Sequence, residues 1–179
     1  MILIEPDAAT ASDGPELKRR KAALKLPELR QFLSKAKSEV GLDGEVSVLL
    51  GSDTTIRTLN RNFRKKDKAT DVLSFPVDGF QGEGPKQAGD LAISLDTAQR
   101  QASEHGHSLL MEVKILMLHG LLHLAGYDHE TDSGQMAGKE RVLRKEFDLP
   151  SGLIQRSTKP PVKQAKKVSA GIKKRGRLR

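Results

Sequence analysis

Leu109-Leu-Met-Glu-Val-Lys-Ile-Leu-Met-Leu-His119-Gly-Leu-Leu-His123-Leu-Ala-Gly126-Tyr-Asp-His129 reads as one long apolar helix, from Leu109 to about Ala125, followed by a tight reversal. A helix that is apolar on nearly every side has to be buried, so this segment takes the centre of the fold. Against that apolar background stand three of the five histidines of the chain. Four residues apart on a helix, His119 and His123 project from the same face with Cβ atoms about 5–6 Å apart. Gly126 can adopt the left-handed turn that stops the helix and returns the chain, carrying His129 to the same point.

Two imidazoles without partners are costly to bury on an apolar helix, and a metal ion accounts for both. Three histidines leave a coordination position open, which is the pattern of a catalytic zinc and not of a closed structural one; Ni²⁺ or Cu²⁺ also accepts such donors. Asp128 is a candidate to accept the outer ring N–H of a ligand histidine, or else it caps the turn. Zinc peptidases with the same histidine spacing carry a glutamate directly after the first histidine as general base. Here that position is Gly120, which cannot take a proton, so peptide hydrolysis is the weaker reading. His105 and His107 fall in a polar connection and read as solvated.

Outward from this helix the chain alternates strand and helix. Met1–Glu5 reads as a short strand, Pro6–Gly14 as loop, and Lys18-Arg-Arg-Lys21 as a solvated basic run. Pro27 suits the first turn of a helix on which Leu29, Phe32, Leu33, Ala36 and Val40 recur at three- and four-residue spacing, with Gly41 beyond. Glu45–Leu50 is strand-like, and Ser52-Asp53 can cap a helix with Ile56, Leu59 and Phe63 inward. Its other side leads into the densest basic cluster of the body: Arg57, Arg61, Arg64, Lys65, Lys66 and Lys68. Asp71–Pro76 and Asp90–Ser94 read as strands around a glycine-rich loop, Asp78–Gly89. A helix follows from about Asp96 to Glu104. Thr131-Asp132 can cap a last helix with Met136, Leu143 and Phe147 inward, and Leu149-Pro150 closes the domain. Four strands and five helices make an α/β layer structure.

The 179 residues suit one domain, 1–154, with a basic appendage, 155–179. The net charge of +8 belongs to that appendage, which has ten Lys/Arg and no acid, while residues 1–154 carry 21 basic against 23 acidic residues. The tail is too poor in apolar residues to pack and is expected to be disordered, yet it has the charge to attract a polyanion. Without cysteine there is no disulfide scaffold, iron–sulfur cluster or thiolate zinc site. No leader-like start and no apolar run near 18 residues is present, so the expectation is a cytoplasmic protein with no membrane partner.

The segment His119–His129 meets in full a His-Gly-x-Leu-His-Leu-x-Gly-Tyr-Asp-His pattern and resembles the signature of the YbeY family of bacterial endoribonucleases and rRNA maturation factors. Leu59-Asn-Arg-Asn-Phe63-Arg64-Lys-Lys-Asp67-Lys-Ala-Thr70-Asp71-Val-Leu-Ser-Phe75-Pro76 and Gly89-Asp90-Leu-Ala-Ile-Ser94 are similar to two further family segments. The resemblance runs from about Leu26 to Pro150, with mild departures at Ala88 and Leu91; the tail is not part of it. It implies a mixed four-stranded sheet surrounded by helices, a metal held by His119, His123 and His129 in a cleft, and Arg64 as the functional arginine. It also implies cleavage of single-stranded RNA, notably at the 3′ end of small-subunit rRNA, with the small ribosomal subunit as partner. Arg57, Arg61, Lys65, Lys66 and Lys68 then become candidates to follow the RNA backbone. Five Phe, one Tyr and no Trp leave little for base stacking, so sequence readout should be weak. The general base stays open among Glu112, Asp90 and water. An assembly factor that binds RNA around a mainly structural metal is the alternative, ahead of a peptidase.

Overall fold

The computed structural model describes residues 1–4, 19, 22–77, 86–129 and 131–150. Among them are strands β1 (Ile2–Ile4), β2 (Glu45–Gly51), β3 (Val72–Pro76) and β4 (Gln87–Ser94). The helices are α1 (Leu26–Val40), α2 (Asp53–Arg64), α3 (Leu95–His105), α4 (Leu109–Leu124) and α5 (Gln135–Glu146). The strands form one mixed sheet in the order β1-β2-β4-β3, in which β1–β2 and β2–β4 are parallel and the edge strand β3 is antiparallel to β4. The expected architecture is therefore present. None of these helices is long and apolar enough to cross a membrane. The expected Pro6–Gly14 loop, the run Lys18–Lys21 apart from Arg19, positions 78–85 and the basic tail lie outside the described residues.

Alternation along the strands divides the core in two, because successive side chains of a strand face opposite sides of its sheet. Val46, Val48, Leu50, Leu91 and Ile93 join α1 and α4 in the main cluster, where all five expected apolar positions of α1 are buried. Leu73 and Ala92 face the other way and meet Ile56 of α2 in a smaller cluster. Helix α4 lies against β3 and β4 and between α1, α3 and α5. Its backbone approaches the sheet at Gly120, where a Cβ would stand 2.7 Å from Leu91 Cδ2 and 3.3 Å from Ser74 Oγ. The Ser74 hydroxyl donates to the Gly120 carbonyl across this contact, at 3.3 Å.

Three details differ from the expectation. Phe63 is 67% exposed, because the end of α2 overhangs the edge strand; Asn60 is buried instead and donates to the Lys68 carbonyl at 2.7 Å. Strand β4 begins at Gln87 and not at Asp90. Gly89, at φ +143°, continues the ladder where a Cβ would come within 2.5 Å of the Phe75 carbonyl, so the glycine that suggested a loop is what permits close pairing. Helix α5 starts three residues after Asp132, whose carboxylate nevertheless caps it from outside by accepting Gly134 N–H and Met136 N–H, each at 2.7 Å.

The two helical glycines Gly120 and Gly138 should respond to alanine with opposite signs. Nothing lies within 4 Å of a Cβ at Gly138, so Gly138→Ala is expected to stabilise by about 0.5–1 kcal/mol through helix propensity. At Gly120 the same gain is outweighed by overpacking against the buried Leu91, a cost of about 1–3 kcal/mol, and Gly120→Ala lowers the unfolding midpoint. Thermal unfolding of both variants checks this; a rise for Gly120→Ala would show that the close approach is not tight.

Candidate metal centre

Helix α4 ends as the sequence indicates. Gly126 takes φ +87°, its N–H donates to the His123 carbonyl, and Tyr127 N–H donates to the Leu122 carbonyl, both at 3.0 Å. This paired bonding satisfies two helix-end carbonyls and turns the chain back on itself. His129 thereby joins His119 and His123, with ring centroids 4.8, 5.4 and 5.3 Å apart and one nitrogen of each within 4.8 Å of the others. His119 is buried, His123 half-buried and His129 exposed, so the group opens to solvent on one side.

The outer nitrogen of His119 is held by a residue the sequence reading did not single out. His119 Nδ1 lies 3.3 Å from Glu140 Oε2. An Nδ1–H donating there leaves the Nε2 lone pair free to bind an ion. Arg144 donates from Nε to the other Glu140 oxygen at 2.7 Å and from Nη1 to the Pro150 carbonyl at 2.8 Å. Glu140 and Arg144 are only 1% and 2% exposed. Burial alone would raise the Glu140 pKa, but the His119 hydrogen bond and the Arg144 charge outweigh it and hold the carboxyl at about 2. A signal was present: Glu140 sits in the same stripe as the inward Met136 and Leu143.

The donor set fits a divalent ion. His123 Nε2 stands 3.2 Å from His119 Nε2, close to the about 3.3–3.4 Å that separates two nitrogens on a tetrahedral ion with Zn–N distances of about 2.0–2.1 Å. Burial, together with the charges of His119 and His129, pushes His123 down to about 4, so near neutral pH this imidazole is the neutral form a metal needs. Gly120 lies against the Leu91 and Ser74 side chains, so a general-base side chain at this position would have to displace them.

The three histidines line a cleft of about 440 Å³ whose far wall includes Arg64, Asp71 and Ser74, with Asp128 beside the histidines. Arg64, the last residue of α2, donates from Nη2 to the Ser74 carbonyl at 3.0 Å. Of the other basic candidates, Arg57 is tied to Asp67 by two 2.8 Å bonds, Lys65 donates to the Asn62 carbonyl, and Arg61, Lys66 and Lys68 are exposed. Asp128 accepts the Thr131 hydroxyl at 3.1 Å, and its charge acts on His123. Neither acid considered as a base lines the cleft. Glu112 lies two turns before His119, about 10 Å along the axis, and Asp90 is exposed on β4. Glu112 is instead fully buried and hydrogen-bonded to His107, which corrects the reading of His107 as a solvated loop residue.

Glu140→Gln is expected to lower metal affinity by about 10- to 100-fold by loosening His119, and to destabilise the fold by leaving Arg144 buried beside a neutral group. Chelator competition and thermal unfolding separate the two effects; unchanged affinity with a lowered midpoint would assign Glu140 to Arg144 alone. In metal-free protein, His123 binds its proton less readily when folded, at about 4, than its ordinary value of 6.5. Its contribution to stability is therefore complete above about pH 6.5 and is lost as pH falls towards 4. Unfolding midpoints of chelator-treated protein should drop across that window, and His123→Asn should drop less.

A family model described as Endoribonuclease YbeY matches residues 16–148. The Endoribonuclease YbeY of Koribacter versatilis is 52% identical over 153 residues, covering 84% of this chain and 96% of that protein. Those of Solibacter usitatus and Aquifex aeolicus are 48% identical over 139 residues and 51% over 129, covering 78% and 72% of this chain and 90% and 83% of theirs. A solution structure from Thermotoga maritima aligns at 26% identity with 92% of this chain and 99% of its own, at a TM-score of 0.49. With a family model spanning most of the chain and relatives near half identity, the protein belongs to the YbeY endoribonucleases, hydrolases that cut phosphodiester bonds within RNA.

Proposed function

We propose that this enzyme cuts single-stranded RNA at the His119–His123–His129 centre with Arg64 as a catalytic residue, and that its substrate is the 3′ end of small-subunit rRNA during ribosome assembly. The observation that carries the reading is one cleft lined by both the three imidazoles and the Arg64 guanidinium. Zn²⁺ is the ion we assign, held by His119, His123 and His129. When bound, it supplies Lewis acidity to a phosphoryl oxygen or to an attacking water.

The side chains divide the remaining work. Glu140 holds His119 in one tautomer and orientation. Arg64 spends one of its five N–H donors on the Ser74 carbonyl, which anchors the guanidinium at the cleft wall. Its other donors are available to phosphate oxygens and offset the charge that grows on them in the transition state. The exposed Arg61, Lys65, Lys66 and Lys68 add attraction for the flanking backbone. Arg57 contributes less, since its charge is already matched by Asp67.

The test is cleavage of end-labelled single-stranded RNA, and of small-subunit particles carrying a 3′-extended rRNA, by metal-loaded parent and Arg64→Ala protein of equal metal content. Arg64→Ala is expected to cut about 10²- to 10³-fold more slowly, as when one preorganised donor is removed from a transition state. Equal cleavage by both proteins would remove Arg64 from the mechanism. Binding of RNA without cleavage by either would favour an assembly factor whose metal is structural.

A further inference from the structure

Among the described residues, Phe63 is the most exposed large hydrophobic one, with 67% of its surface open. Burying such a ring would stabilise the fold by about 1.5–3 kcal/mol, yet α2 carries it past the sheet edge. The ring is not loose. It meets Phe75 at 5.3 Å between centroids and 68° between planes. A T-shaped contact engages an edge or a single face of a ring, so a face of Phe63 remains for another partner.

Two observations say what that partner is. The first is position. Phe63 precedes Arg64, and Phe75 lies between Ser74 and Pro76, all three of which line the cleft. Because strand residues alternate in direction, the aromatic pair stands on the outer side of edge strand β3 while the cleft lies on its inner side. The second is charge. In the segment that carries the ring, Arg61, Arg64, Lys65, Lys66 and Lys68 are exposed, and the one acid among them, Asp67, is matched by Arg57. An aromatic face set among cations suits a nucleobase flanked by phosphates.

We propose that Phe63, braced by Phe75, is the platform on which one base of the substrate stacks as the RNA strand leaves the cleft over the edge of β3. The inference rests on the reading that single-stranded RNA occupies the cleft, and it makes Phe63 a binding residue, not a catalytic one. One ring accepts any base, so the platform positions the strand without reading its sequence. The scarcity of aromatics in the chain thus limits the number of bases held, and a single base remains held.

The experiment compares metal-loaded parent, Phe63→Leu and Phe63→Tyr for KM and kcat on a single-stranded oligoribonucleotide and on a series carrying one abasic nucleotide at successive positions. Phe63→Leu is expected to raise KM about 5- to 150-fold with kcat within about twofold, and to leave the unfolding midpoint nearly unchanged because the ring is exposed. Phe63→Tyr should keep the parental KM. One abasic position should raise KM for the parent but not for Phe63→Leu. A parental KM for Phe63→Leu, or an equal abasic penalty in both proteins, overturns the platform; the patch would then face a protein partner. Equal loss in Phe63→Leu and Phe63→Tyr with a lowered midpoint also overturns it, in favour of a structural role. A parent that neither cuts nor retains single-stranded RNA overturns the substrate reading and this inference together.

Discussion

Helix α4 sits where it does because glycine at position 120 lets its backbone touch the sheet. The Ser74 hydroxyl donates to the Gly120 carbonyl and Leu91 fills the space a side chain would need, which fixes how α4 meets the sheet at this point. That placement turns His119 towards α5 and His123 towards the cleft. A shift of the helix would separate the imidazoles from both Glu140 and the return turn that delivers His129. The grouping of the three histidines is therefore a by-product of how closely a helix can approach a sheet. The packing of an apolar core decides the geometry of its most polar site.

The buried pair of Glu140 and Arg144 adds a second constraint of a different kind. Removing two charges from water is costly, and an apolar pair of similar volume would often be as stable. What the pair supplies is direction: Arg144, fixed by the Pro150 carbonyl, fixes Glu140, and Glu140 fixes the outer nitrogen of His119. Pro150, the last described residue, thus reaches His119 of the candidate site through three charge-assisted bonds.

Much of this was legible in the sequence because it depends on local patterns. The apolar spacing of α1, the continuous apolar run of α4 and the histidines on either side of Gly126 each specify their structure within one element. What escaped depends on partners far along the chain. Periodicity shows which side of α2 is apolar but not where the sheet beneath it ends, so Phe63 reads as core. Glu140 lies in the inward stripe of α5, but its histidine is 21 residues away, so nothing local to the helix names its partner. Glu112, open in the sequence as a possible general base, is instead buried on α4 with His107 hydrogen-bonded to it.

Strand β3 ends the sheet, and such an edge offers unpaired backbone groups to any other chain that can lie alongside it. Here the Ser74 carbonyl is already taken by Arg64, and Pro76 closes the strand with no N–H to donate. The guanidinium that we propose turns towards phosphate therefore also denies this carbonyl to an added peptide backbone. The rim of the cleft resists an added strand, so the sheet is guarded against self-association on the side where the candidate site opens.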